Sequence, residues 1–125
     1  SSYASLTARD LARVGVWRAR DGRWNDRQLL PKEWLTFNLQ PFAGYKANQD
    51  EAVPGGHWWL NRPAQGASSP WADAPPDTFA ALGHWGQALY VIPSEKLVIV
   101  RYADDRDGSY RHNELLKRVL AAVRP

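Results

Sequence analysis

Along the chain, stretches with apolar residues every three to four positions give way to short apolar runs. Leu11, Val14 and Trp17 follow at helical spacing behind Thr7-Ala8-Arg9-Asp10. That tetrapeptide has the form of a capping box, with Thr7 as N-cap and Asp10 three residues on. A helix is predicted over about Ala8–Ala19, ended by the Asp21-Gly22 turn. Gly15 lies inside it at a cost of about 1 kcal/mol against alanine, so close packing is expected there. Pro31 suits the first turn of a short helix over Pro31–Phe37, with Trp34 on its inner face. Periodicity is then lost from Gln40 to Pro54, which predicts loop. A short strand is expected over Gly56–Asn61, with Trp58 and Trp59 alternating across it. Residues Arg62 to Asp77, rich in Pro, Ala, Ser and Gly, predict a long loop, of a length that is usually functional or disordered.

The last third is the most regular. Thr78–Leu82, Gln87–Ile92 and Leu97–Tyr102 are β-branched and aromatic runs, separated by the turns Gly83-His84-Trp85-Gly86 and Pro93-Ser94-Glu95-Lys96. Connections this short predict an antiparallel meander. After a polar break from Asp104 to Ser109, residues Leu115, Leu116, Val119, Leu120 and Val123 recur at helical spacing and predict a C-terminal helix over one sheet face. The fold class is therefore α+β: a three- to four-strand antiparallel meander packed by a C-terminal helix, preceded by a helical segment. One unit spans 1–125, its helical and loop part over 1–54 and its sheet and last helix over 55–125.

Composition narrows the function. At 125 residues there is room for one modest domain. The absence of Cys excludes a disulfide framework, a thiolate metal site and a thiol nucleophile. The absence of Met predicts a processed or excised chain. The net charge of +3 comes from arginines interleaved with acids, as in Asp104-Asp105-Arg106-Asp107, which is a mixed solvated surface and not a nucleic-acid stripe. No apolar run approaches the length of a membrane span. Seven Trp residues are a large aromatic load. They could form a platform for glycan or peptidoglycan stacking, which makes a non-catalytic binding module the alternative function.

Candidate chemistry centres on Gly83-His84-Trp85-Gly86-Gln87. One reading is a hairpin turn in which glycine supplies positive φ and Trp85 caps the core. The other is a glycine turn that lets backbone N–H groups approach a ligand, as an oxyanion hole requires. His57, His84 and His112 lie far apart with no metal-ligand spacing, so no metal site is expected. Neither a GxSxG elbow nor a P-loop occurs.

The Thr7–Arg13 and Ala81–Gln87 stretches, with the Trp-Trp-Leu strand, the meander and the last helix in this order, resemble the C-terminal part of the serine β-lactamase-related family. That family takes in class C β-lactamases, penicillin-binding proteins, family VIII-type esterases and 6-aminohexanoate-dimer hydrolases. The resemblance implies a partial β-lactamase/transpeptidase-like fold and a serine hydrolase acting on esters or amides through an acyl-enzyme, without metal or organic cofactor. It places the third motif at Ala81-Leu82-Gly83, where the family typically has Lys-Thr-Gly. Gly83 and His84 become the catalytic candidates, through the His84 backbone N–H or, in another register, its imidazole. Ala81, Leu82, Trp85, Gln87 and a Trp71 lid become substrate-binding candidates.

The departures are as informative. None of the seven Ser has Lys three positions later, and no Tyr-x-Asn occurs. Tyr3-Ala4-Ser5 has the Tyr-x-Ser form but leads straight into the first helix. The expectation is a C-terminal portion lacking nucleophile and base, inactive alone. Its substrate in the complete protein is a small ester, amide or peptide-like molecule. Open strand edges would pair with a further segment or a second copy. The resemblance leaves the compartment undetermined and leans to periplasm or secretion.

Overall fold

A computed structural model describes residues 4–45, 52–63 and 68–125. Tyr3 and parts of both predicted loops lie outside the described residues. Helix α1 spans Ala8–Ala19. Thr7 caps it: its hydroxyl accepts from the Asp10 N–H at 3.1 Å and donates to the Asp10 carboxylate at 2.7 Å. Strands β1 (Arg23–Trp24) and β2 (Arg27–Gln28) form a small hairpin, and α2 spans Lys32–Phe37. Five further strands follow: β3 (Val53–Pro54), β4 (Trp59–Leu60), β5 (Phe79–Leu82), β6 (Ala88–Ile92) and β7 (Leu97–Arg101). They form one antiparallel sheet in chain order, closed off by α3 at His112–Val123. The sheet thus has five strands where three to four were predicted. The added one, β3, lies at the end of the expected Gln40–Pro54 loop and pairs Val53 with Leu60.

Strand β6 sets the layers. All five of its residues are buried, so both faces of the strand are covered. Ala88, Tyr90 and Ile92 face a core formed with Trp71, Ala80 and the α3 residues Leu116 and Leu120. Leu89 and Val91 face the other core, with Phe79, Leu60 and Val53, onto which Leu11 and Ala19 of α1 pack. The predicted C-terminal helix therefore covers one face, and α1 covers the opposite one. Gly15 makes that second contact possible. A Cβ there would stand 2.5 Å from Val98 Cγ1 and 2.9 Å from Leu89 Cδ1.

The tryptophans divide by depth. Trp58 packs edge-on to Phe79 at 5.0 Å between centroids, while Trp59 points outward, the predicted alternation. The Arg18 guanidinium lies against Trp58 and Phe79 and donates to the Leu35 carbonyl at 2.7 Å, tying α1 to α2. Trp34 departs from expectation. It is 53% exposed and stacks on Phe37, and Leu35 is the buried residue of α2. In a six-residue helix pinned through Leu35 to Arg18, the inner face is turned by one position.

Gly15→Ala should lower stability despite alanine's helix preference. Overpacking costs roughly 1–3 kcal/mol and the propensity gain is about 1 kcal/mol. A net loss of up to about 2 kcal/mol is expected as a lower urea midpoint.

Candidate functional site

The turn between β5 and β6 carries the predicted chemistry. Gly83 is extended, with φ −126°, and its N–H donates to the Gln87 carbonyl at 2.9 Å, closing the hairpin neck. Positive φ is taken by Gly86 at 83° and by Trp85 at 55°. Glycine thus supplies it at only one end, and Trp85 holds a left-handed conformation that costs a bulky residue about 1–2 kcal/mol. Trp85 does not cap the core. It is 51% exposed, with the Arg106 guanidinium 4.3 Å from its ring centroid.

What holds the strained turn is the end of β7 and the segment after it. The Asp105 N–H donates to the Trp85 carbonyl at 3.0 Å. Arg101 Nη1 donates to the Gly86 carbonyl at 2.8 Å, and Arg101 Nη2 lies 2.5 Å from Asp105 Oδ2. A side chain at position 86 would run into this pair. The Gln87 amide is also committed: its oxygen accepts from the Ala103 N–H at 3.1 Å and its nitrogen donates to the Ala103 carbonyl. Gln87 is therefore a brace between the turn and the post-β7 segment.

Ala81, Leu82, Gly83, His84 and Gln87 line one open groove of about 1180 Å³. The opposite wall is Ala4–Thr7 and Leu11, and Tyr102 and Ala103 close the end. The Tyr102 hydroxyl donates to the Leu6 carbonyl at 2.9 Å, joining walls far apart in sequence. The contributions of Leu6, Leu11 and Tyr102 were not legible in the sequence, because nothing local ties them to the turn. The His84 side chain is exposed, and no acceptor for its backbone N–H occurs among the described residues. No Ser hydroxyl is hydrogen-bonded to a His or Lys among the described residues, and no group of His, Asp and Glu there is placed to hold a metal ion.

Trp71 is not at the groove. It is 4% exposed and packs edge-on to Tyr90 at 5.8 Å, within the core under α3. The reason is Asn61, fully buried, whose side chain accepts from the Trp71 N–H at 2.8 Å. It also donates to the carbonyls of Trp71, Ala74 and Pro75 at 3.0, 3.2 and 3.0 Å. A polar side chain so fully satisfied pins this part of the loop into the core, so the expected lid is a structural anchor. Asn113 bonds Asp73 and so belongs to that side as well.

No protein-family model matches the chain. It is 25% identical over 96 residues to an uncharacterized protein of Alkalihalophilus pseudofirmus, covering 77% of this chain and 29% of that one. Among solved structures it is similar to "Putative 6-aminohexanoate-dimer hydrolase from Bacillus anthracis", with a TM-score of 0.59 and 22% identity, covering 94% of this chain and 28% of that one. The chain has the fold of part of a β-lactamase-like domain. It spans less than a third of the length of either relative. In this β-lactamase-like sheet the groove lies where β5 ends and β6 begins. No helix among the described residues is long and apolar enough to cross a membrane.

Beneath α3 lies a second polar cluster. Tyr90 Oη is 2.6 Å from Tyr110 Oη and 2.5 Å from His112 Nδ1, and Arg101 lies 3.8 Å from the Tyr110 ring centroid. Each hydroxyl has one proton, so the chain closes in either of two directions: Tyr110 to Tyr90 to the His112 Nδ1, or the His112 Nδ1–H to Tyr90 to Tyr110. Burial, and then the Arg101 charge, hold the His112 pKa below its usual 6.5. Burial likewise pushes both tyrosines up. The unfolded chain then binds the His112 proton more tightly than the folded one. The stability this gives is complete above the unfolded value and is lost as pH falls towards the folded one. Stability to urea should decline as pH falls through and below the usual His value of 6.5, and a His112→Gln variant should show a flatter profile there.

Proposed function

We propose that the chain is the C-terminal portion of a serine hydrolase that cleaves ester or amide bonds through an acyl-enzyme. It contributes the third-motif strand and the oxyanion turn, and the nucleophile comes from elsewhere in the complete protein. The observation that carries this reading is the convergence of Ala81, Leu82, Gly83 and His84 on one groove within a β-lactamase-like fold. In this reading the His84 N–H is one oxyanion donor, worth about 3 kcal/mol in the transition state. Its imidazole stands at the mouth. Ala81 and Leu82 form the floor against the acyl group, and Gln87 keeps the turn in place, while Trp85 lies outside the groove lining, beneath Arg106. The exposed Trp34–Phe37 stack favours the second reading, a carbohydrate-stacking module.

Nitrocefin and p-nitrophenyl esters separate these roles. The full-length parent should turn over at least one of them, and this chain alone should turn over neither. Hydrolysis by the 125-residue chain would overturn the assignment of the nucleophile to another segment. Among the described residues β7 pairs only with β6, so its outer edge is open to a further strand from the parent or from a second copy. Light scattering should detect concentration-dependent association of this chain; a strict monomer at high concentration would count against edge pairing.

A further inference from the structure

We propose that a small cavity between the end of α1 and helix α2 binds a carboxylate group, received by the Arg18 guanidinium. The cavity is about 150 Å³ and is lined by Arg18, Asp21, Lys32, Leu35, Thr36 and Leu39. That size suits a carboxylate group and not a large ligand.

Arg18 is 4% exposed. Its guanidinium lies against the rings of Trp58 and Phe79, and Nη2 donates to the Leu35 carbonyl at 2.7 Å. A guanidinium has five N–H donors and keeps its charge at neutral pH. Among the described residues the Leu35 carbonyl is the one acceptor it meets, and none of their ion pairs includes it. Asp21, on the cavity wall, attracts it without coming within ion-pair distance. A positive charge is thus buried and held in a fixed orientation, yet unmatched. Such a charge is costly until an anion with hydrogen-bonding oxygens meets it, and a carboxylate meets the guanidinium fork with two. Lys32 and the Thr36 hydroxyl line the same cavity and supply further donors. Arg18 and Lys32 against Asp21 leave one net positive charge on the wall. A single carboxylate balances it, whereas a dianion overshoots it. A free small acid and an Asp or Glu side chain from a further segment of the parent present the same group to Arg18.

Sodium acetate titrated into the 125-residue chain tests this, against sodium chloride at matched ionic strength, with the Arg18 Nε–H and the Leu35 and Thr36 amide signals followed by NMR. Acetate should shift these signals saturably, with half-saturation at about 10 mM or below, and chloride should not. Asp21→Asn removes the competing charge at a φ of 51°, which asparagine tolerates, and should tighten acetate binding about two- to fivefold. Lys32→Gln, at an exposed position, should weaken it by a similar factor. Arg18→Met keeps an apolar stem against the two rings, and its Leu35 and Thr36 signals should no longer answer to acetate. The full-length parent separates the two sources: acetate acts on it as well where the carboxylate is that of a free acid, and on this chain alone where a side chain of the parent fills the cavity. A response to acetate no greater than that to chloride, or one that Asp21→Asn and Lys32→Gln leave unchanged, would overturn the proposal.

Discussion

Strand β6 is buried on both faces, and helices α1 and α3 take their places from that fact. α1 reaches the sheet because Gly15 admits Val98 and Leu89, and α3 reaches the opposite face through Leu116 and Leu120. A strand with two apolar faces has no solvent side, so its alternating residues must find a partner layer above and below. The groove is a by-product of this sandwich. It opens where β6 begins, between the first turn of α1 and the end of β5.

The turn at the groove is held from outside. Trp85 in a left-handed conformation is not stable by itself, and it persists because Asp105 and Arg101, at and beyond the end of β7, hold the carbonyls of Trp85 and Gly86. Strain of this kind is characteristic of places where backbone geometry is used for something. Here it fixes the direction of the His84–Gly86 backbone, the part of the chain on which the hydrolase reading depends. The same clamp pairs the Arg101 guanidinium with the Asp105 carboxylate, so the support of the turn does not leave either charge unpaired.

Tyr90 links the two sides of the molecule. Its ring belongs to the core under α3, and its hydroxyl meets Tyr110 and His112. Tyr110 in turn lies against Arg101, which holds the turn. A buried hydroxyl with both partners in place is stabilising, and one left unpaired is costly, so α3 and the turn are coupled through a short run of satisfied groups.

The sequence by itself determined the elements whose signals are local. The Thr7–Asp10 cap placed the start of α1 and the glycine and proline turns bounded the meander, because cap and turn preferences act within a few residues. It also placed Ala81, Leu82, Gly83 and His84 together, since they are consecutive. Tertiary structure decided what depends on distant partners. Trp71 went into the core because Asn61 holds it there, Trp34 went outward because Leu35 meets Arg18, and the groove's second wall came from residues joined through Tyr102 and Leu6. The clamp of Arg101 and Asp105 on the turn was likewise invisible, although both residues were in plain view. Periodicity and propensity describe how a residue relates to its chain neighbours. A burial choice or a hydrogen bond across the fold depends on which surfaces meet, and that is settled only when the layers pack.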